Sequence, residues 1–186
     1  MKKRLVILAS GGGSNADNIC TYFKSSNRAE VVLIACNKPG AGAFEVAQKH
    51  GVASFLIEKE SFYNGDFLQQ IKDYRPDLII LAGFLWRVPA YLVSAFPDKI
   101  INIHPALLPK YGGKGMYGHF VHEAVVANGE KESGITVHWV NEHYDEGAIL
   151  FQAIATIGEN DGPKEVEQKV RALEIAHFPQ VIDSLL

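Results

Sequence analysis

The feature that most constrains the fold is a regular alternation of short apolar runs with helical segments over the first hundred residues. The apolar runs are residues 5–9, 31–35, 54–57, 78–82 and 100–104, and the helical patterns are residues 15–24, 43–50, 67–74 and 89–96. Near-continuous apolar strands are typical of a parallel sheet that is covered on both faces. The pattern therefore predicts an α/β fold with a mostly parallel central sheet and helices on both faces.

The second half of the chain has a different pattern. Residues 105–118 are rich in proline and glycine and predict a structured loop, followed by a helix over residues 120–127. Residues 134–140 alternate in polarity, which favours a half-buried strand, and residues 149–157 predict another strand. A long final helix is expected over residues 163–186. We expect an antiparallel strand in this half.

Composition excludes several classes of protein. The chain has 186 residues, which fits a single domain, and its net charge of -3 gives no basic surface for nucleic acid. No apolar run is long enough for a bilayer, and the first run stops at a glycine cluster, so a strand is favoured over a signal peptide. Two cysteines, Cys20 and Cys36, do not make a disulfide framework. A cytoplasmic protein is expected, with no membrane and no nucleic-acid partner.

A glycine loop follows the first strand and opens the first helix. Its residues are Ser10, Gly11, Gly12, Gly13, Ser14 and Asn15. Glycines let the backbone approach a ligand closely, and the N–H groups of a helix start attract an anion. The spacing matches neither a dinucleotide fingerprint nor a Walker loop, so a phosphomonoester is the favoured ligand. The alternative is a plain glycine turn in which Ser14 or Asn15 caps the helix.

Asn102 and His104 stand at the end of the fifth apolar run, in the sequence Asn-Ile-His-Pro. Residues two apart share one face of a strand, and ligands of open parallel sheets bind beyond the carboxyl ends of the strands. An amide and an imidazole there are suited to holding the oxyanion of a tetrahedral acyl intermediate. A satisfied polar pair is the alternative. Asp145, within Asp-Glu-Gly, is on its own pattern a turn residue.

These motifs together resemble those of glycinamide ribonucleotide formyltransferases, within the folate-dependent formyltransferase family. The matching segments are residues 9–15, 81–84, 102–105, 107–109 and 136–138, followed by Asp145 and Gly147. The resemblance covers nearly the whole chain and implies a three-layer, Rossmann-like formyltransferase fold. It divides the single domain, residues 1–186, into a phosphate-binding half of about residues 1–100 and a catalytic and folate half of about residues 101–186.

The resemblance also implies an activity and its residues. The expected reaction is formyl transfer from 10-formyltetrahydrofolate, a co-substrate, to the amine of glycinamide ribonucleotide in purine synthesis, with no metal. The catalytic residues implied are Asn102, His104 and Asp145, and the carboxylate is expected to favour a charged His104 imidazolium. The residues implied for the substrate phosphate and ribose are Gly11, Gly12, Gly13, Ser14, Asn15, Arg171 and Glu174. Those implied for folate are Phe84, Leu85, Trp86, Arg87, Val88, Asn102, Asn141, Glu142, His143, Tyr144 and Asp145.

The chain departs from the family pattern at two places. Trp86 stands where relatives often have arginine, and the loop over residues 111–118 is longer than in common relatives. Spacing back from Gly129 favours His122 over His119 as the loop histidine of the family.

Other functions stay open at this point, including a formyltransferase that acts on another small phosphorylated amine. A formyltetrahydrofolate hydrolase shares the catalytic residues but usually carries an additional N-terminal domain, and methionyl-tRNA formyltransferase needs a C-terminal tRNA-binding domain. A zinc hydrolase using His119, His122, His138 and His143 is disfavoured by the loose spacing of these histidines. A non-catalytic phosphate-binding module leaves the catalytic residues unexplained. Small-molecule substrates and a monomer or homodimer are expected.

Overall fold

The apolar runs form adjacent strands of one seven-stranded sheet in a computed structural model, which describes residues 1–186. The strands are β1 (Lys3–Ala9), β2 (Ala29–Cys36), β3 (Ala53–Leu56), β4 (Leu78–Leu81), β5 (Ile100–His104), β6 (Glu132–Trp139) and β7 (Ile149–Thr156). Their order across the sheet is β3-β2-β1-β4-β5-β6-β7. The first five pair in parallel, whereas β6 is antiparallel to β5 and to β7. The predicted mostly parallel sheet with an antiparallel part is confirmed.

Seven helices cover the sheet: α1 (Ser14–Ser25), α2 (Gly42–His50), α3 (Lys59–Asn64), α4 (Phe67–Asp73), α5 (Ala90–Ala95), α6 (His119–Ala127) and α7 (Pro163–Ser184). Residues of α1, α2, α6 and α7 join one buried apolar cluster, and residues of α3, α4 and α5 join another. Along β1, Leu5 and Ile7 belong to the first cluster and Val6 and Leu8 to the second. This strand is apolar throughout because each of its faces supports a separate core. None of the helices combines the length and the apolarity that a membrane crossing requires.

Three local predictions were wrong. The helix α3 was not predicted, because Phe62 is its only buried side chain and gives no apolar period. The helix α1 has Gly13 at its N-cap position and no side-chain cap, so neither Ser14 nor Asn15 caps it. The strand β6 is buried on both faces rather than half-buried. Its polar Thr136 is covered by the segment after β5, since its Oγ1 donates to the Ala106 carbonyl at 2.6 Å.

The topology determines where a ligand can bind. The chain leaves β1 toward β2 on one side and returns to β4 on the other, so the connections after β1 and β4 diverge at their carboxyl ends. Such a switch point opens a crevice in α/β sheets. The glycine loop follows β1 and the segment of residues 82–89 follows β4. The two meet where Ser10 Oγ accepts a hydrogen bond from the Leu85 N–H at 2.9 Å.

Candidate active site

A cleft of about 570 Å³ lies at the switch point. Of the residues predicted for catalysis or binding, those that line it are Gly11, Gly12, Gly13, Ser14, Asn15, Phe84, Leu85, Trp86, Arg87, Val88, Asn102, His104, Asn141, His143, Tyr144, Asp145, Arg171 and Glu174. Glu142 does not line it. Its carbonyl instead accepts hydrogen bonds from Arg87 Nε at 3.0 Å and Nη2 at 2.5 Å. These two hydrogen bonds connect the segment after β4 to the loop after β6.

One end of the cleft is formed by the glycine loop. Gly13 has a φ of 81°, and a Cβ at this position would come within 2.9 Å of the Ala43 Cα, so only glycine fits without strain. The first N–H groups of α1 have no acceptor within the helix, which leaves them available to an anion. The side chain of Asn15 crosses to the final helix, where its Nδ2 donates to Glu174 Oε2 at 2.9 Å.

The final helix contributes a polar stripe to the same end. Glu167, Arg171 and Glu174 are spaced by four and three residues, share one face of α7, and all line the cleft. Burial raises the pKa of Glu174, while the hydrogen bond from Asn15 and the charge of Arg171 oppose that rise. A guanidinium and a hydrogen-bonded carboxyl next to an anion site suit a phosphate with an attached hydroxyl-bearing group.

The other end holds a cluster of polar side chains around Asp145. Asn102 pairs across the β5–β6 ladder with His138, and its Nδ2 lies 3.1 Å from His138 Nε2 and 3.4 Å from Asp145 Oδ1. The two carboxylate oxygens of Asp145 lie 3.6 Å from His104 Nδ1 and 3.6 Å from His138 Nε2. The structure thus brings the three predicted catalytic side chains together, with Asp145 in a left-handed turn at φ 56°.

Backbone carbonyls fix the tautomers of both histidines. His104 Nε2 lies 2.7 Å from the Tyr111 carbonyl oxygen, and His138 Nδ1 lies 2.8 Å from that of Trp139. A carbonyl oxygen only accepts, so these nitrogens carry the hydrogen. The remaining nitrogens both face Asp145: Nδ1 of His104 is left as the basic nitrogen of that ring, and Nε2 of His138 accepts the hydrogen bond from Asn102 Nδ2.

Electrostatics favour a neutral His104 beside an ionised Asp145. Burial lowers the pKa of His104 and outweighs the opposing effects of Asp145 and of the Tyr111 carbonyl. Burial acts to raise the pKa of Asp145, but the neighbouring rings of His138 and His104 and the hydrogen bond from the Gly113 N–H, 2.9 Å from Oδ2, bring it below its usual value. Asp145 acts to favour the charged ring, as expected from the sequence, but desolvation is the larger effect and sets the net direction.

Several cleft residues were not assigned to the site from the sequence, among them the charged or polar His138, Glu167 and Lys114. The two-residue spacing of Thr136 and His138 on β6 is the signal that could have identified His138. His122, which its spacing from Gly129 favoured as the loop histidine of the family, is 4% exposed, and its Nδ1 is buried without a partner. His122 lines the cleft and His119 does not. No group of three or more His, Cys, Asp or Glu side chains is arranged to hold a metal ion.

Comparisons with known proteins match this description. The model of the formyl transferase family matches residues 3–182. A chloroplastic phosphoribosylglycinamide formyltransferase of Arabidopsis thaliana is 38% identical over 193 residues, which cover 99% of this chain but only 65% of that relative's length. The phosphoribosylglycinamide formyltransferase of Bacillus subtilis is 36% identical, with 99% of this chain and 95% of the relative aligned. A crystal structure of phosphoribosylglycinamide formyltransferase from Bacillus halodurans has a TM-score of 0.91 and 32% identity, over 99% of this chain and 95% of that chain. These alignments cover the residues that form both ends of the cleft.

Proposed function

The chain belongs to the formyl transferase family, and from this premise we propose that it transfers the formyl group of 10-formyltetrahydrofolate to the amine of glycinamide ribonucleotide. The products are formylglycinamide ribonucleotide and tetrahydrofolate, in purine synthesis. The observation that carries this proposal is one continuous cleft with a glycine loop at the start of a helix at one end and an Asn–His–Asp cluster at the other. A phosphorylated substrate held at the first end extends its amine toward the second.

The anion end supports a ribonucleotide as the formyl acceptor. The open N–H groups of Gly13, Ser14 and Asn15 are suited to phosphate oxygens, and Arg171 adds a positive charge. Glu174, already hydrogen-bonded to Asn15, is placed to accept from a ribose hydroxyl. Loss of either partner should weaken binding of the ribonucleotide and leave binding of the formyl donor unchanged.

The opposite wall supports a flat heteroaromatic donor such as the folate pterin. Phe84 and Val88 provide a buried apolar surface, at 8% and 5% exposure, next to the polar backbone of the loop after β6. Leu85 and Tyr144 are exposed in the cleft. An apolar slot with a few backbone donors and acceptors is the usual form of such a site.

Asn102 supplies the electrostatic part of the mechanism. The amine attacks the formyl carbon, and the carbonyl oxygen becomes an oxyanion. The Asn102 amide lies 3.4 Å from Asp145, a long hydrogen bond, so this N–H can exchange that weak contact for one to the developing oxyanion. Its other hydrogen bond, to His138 at 3.1 Å, holds the amide plane in place.

His104 and Asp145 handle the proton. The amine loses a proton as it attacks, and neutral Nδ1 of His104 is the free basic nitrogen of the cluster. The imidazolium that forms is stabilised by Asp145, 3.6 Å away. The same proton then passes to the folate nitrogen as its bond to the formyl carbon breaks, which balances the reaction without a covalent enzyme intermediate.

A steady-state assay with purified protein tests the proposal. With 10-formyltetrahydrofolate and glycinamide ribonucleotide together, tetrahydrofolate and formylglycinamide ribonucleotide should form in equal amounts. With the folate alone, formate release should be negligible. Formate release at a rate independent of the ribonucleotide would instead identify a hydrolase, and no turnover with either would contradict both activities. The cytoplasmic location and the monomeric or dimeric state stay predictions.

A further inference from the structure

Tyr111 connects the histidine of the cluster to a part of the protein outside the cleft. Its φ of 57° is left-handed, which is uncommon for a residue with a bulky side chain. In this conformation its carbonyl meets His104 Nε2 at 2.7 Å. The orientation of the Tyr111 peptide therefore decides whether His104 keeps its hydrogen on Nε2.

The side chain of Tyr111 is held by a second contact. Its hydroxyl donates to Glu130 Oε1 at 3.0 Å, and Lys110 Nζ lies 3.0 Å and 3.2 Å from the two oxygens of Glu130. Glu130 is fixed by its own backbone at the end of α6, where its N–H donates to the Val125 carbonyl at 3.2 Å. Glu130 is thus a fixed point to which the loop is tied.

None of these three side chains faces the substrate cleft. Lys110, Tyr111 and Glu130 line a separate cavity of about 300 Å³ on the other side of the segment after β5. An effect of Glu130 or of the Tyr111 hydroxyl on the reaction would therefore be transmitted through His104 and not through contact with either substrate.

We propose that Tyr111 and Glu130 are positioning residues for His104, which hold the Tyr111 carbonyl against Nε2 and leave Nδ1 as the proton-exchanging nitrogen. The expected loss of kcat rests on the proposed function, whereas the positioning of His104 does not. The tautomer of His104 is a property of the free protein and is measurable without substrate.

The experiment compares Tyr111→Phe, Glu130→Ala and the double variant with the wild-type chain. Tyr111→Phe keeps the ring and removes only the hydroxyl. Each single variant should lower kcat about three- to tenfold, the size expected for one hydrogen bond, with KM for both substrates within about twofold. Because both changes break the same link, the double variant should be no slower than the slower single variant.

Two matched controls accompany the series. Tyr22→Phe removes another tyrosine hydroxyl, which donates to Asp183 Oδ2 at 3.2 Å away from the cleft, and should leave kcat unchanged. Lys110→Met removes the ion pair of Glu130 but keeps its bond to Tyr111, so it should affect kcat less than Glu130→Ala. Circular dichroism and a thermal melt establish that each variant is folded.

Imidazole ¹⁵N chemical shifts give the readout that a merely structural role would not move. Wild-type His104 should show the Nε2–H tautomer, and both single variants should show a mixture with Nδ1–H, while Asp145, His138 and His122 around the ring are unchanged. An unaltered His104 tautomer in Tyr111→Phe and Glu130→Ala, or multiplicative losses of kcat in the double variant, would overturn the proposal. If the wild-type chain transfers no formyl group, the proposed function fails, and the tautomer measurement still decides the positioning role.

Discussion

The two ends of the cleft are built in different ways. The anion end consists mainly of backbone N–H groups from five consecutive residues, supported by one side-chain bond from Asn15 to Glu174. The cluster end consists of side chains from separate segments, since Asn102 meets partners that are 36 and 43 residues away in sequence. The anion end therefore forms when one short segment adopts the right backbone conformation, whereas the cluster end forms only when the strands pair in the right register.

The two ends also differ in their electrostatic cost. The open N–H groups of a helix start are solvated until an anion arrives. Around Asp145, in contrast, two buried histidines and a carboxylate are held together, and hydrogen bonds to one another, to Asn102 and to the backbone offset the loss of hydration. We infer that the anion end determines substrate binding and the cluster end determines the rate of the chemical step.

Removal of an oxyanion donor should have the largest effect. Asn102→Ala should lower kcat by about a hundred- to a thousandfold, because a donor aimed at the developing charge acts mainly in the transition state. His104→Ala should lower kcat by about a hundredfold or more, because it removes the group that carries the proton. Single-turnover kinetics and a thermal melt measure the effect and check the fold. His177→Ala, a histidine of α7 outside the cleft, serves as the control. Turnover near the wild-type rate in either cluster variant would refute the assignment.

Asp145→Asn should have the next largest effect. The side chain keeps its size and tolerates the left-handed φ, but it no longer stabilises a charged His104, so kcat should fall about a hundredfold, as is typical for loss of an acid–base group. The His104 pKa, already lowered by burial, should fall further, so the acid limb of the pH profile should move to lower pH. Asp73→Asn is a surface control. An unchanged His104 titration by NMR would show that the pair is not coupled.

Asn15→Leu should affect binding instead of chemistry. It removes the bond to the half-buried Glu174, so KM for glycinamide ribonucleotide should rise by about tenfold or more, the scale of a hydrogen bond to a charged group. The folate KM and kcat should change little. Asn18→Leu is a close control, because Asn18 also links α1 to α7, at 2.9 Å from the Ile175 carbonyl, but lies outside the cleft. If Asn15→Leu changed only the KM for folate, the assignment of the two substrates to the two ends of the cleft would have to be reversed.

The difference between the ends also explains what the sequence could predict. The glycine loop and the strand bearing Asn102 and His104 were identifiable because each is a contiguous pattern with one physical use. Asp145 was selected only by family resemblance, since its local pattern is that of a turn. The role of His138 depends on the β5–β6 register, and the unpaired buried Nδ1 of His122 depends on packing, so neither is encoded in neighbouring residues. The direction of the Asp145 effect on His104 could be predicted, but the larger effect of burial on the His104 pKa could not, because burial is a property of the tertiary structure.

A smaller effect is expected on stability at low pH. Burial lowers the pKa of both His104 and His122 below the usual 6.5, so the unfolded chain takes up protons that the folded chain does not. The resulting stability is complete above pH 6.5 and is lost as the pH falls through the folded pKa values. His122→Phe should flatten this decline by up to about 1.4 kcal/mol per pH unit in urea unfolding, the value for one proton. His143→Phe, at an exposed position, serves as the control. If the free energy of unfolding fell with decreasing pH as steeply in His122→Phe as in the wild type, His122 would not contribute to the decline.

Single-turnover formyl transfer at saturating concentrations of both substrates tests the division between the two ends most directly. Wild type, Asn15→Leu and Asn102→Ala are compared in one experiment, with the concentration of glycinamide ribonucleotide raised until each rate is constant. The account predicts that Asn15→Leu reaches nearly the wild-type rate at higher ribonucleotide concentration, whereas Asn102→Ala stays about a hundredfold slower or more at every concentration. A saturating rate that is reduced equally in both variants, or an Asn102→Ala rate restored by more ribonucleotide, would contradict it.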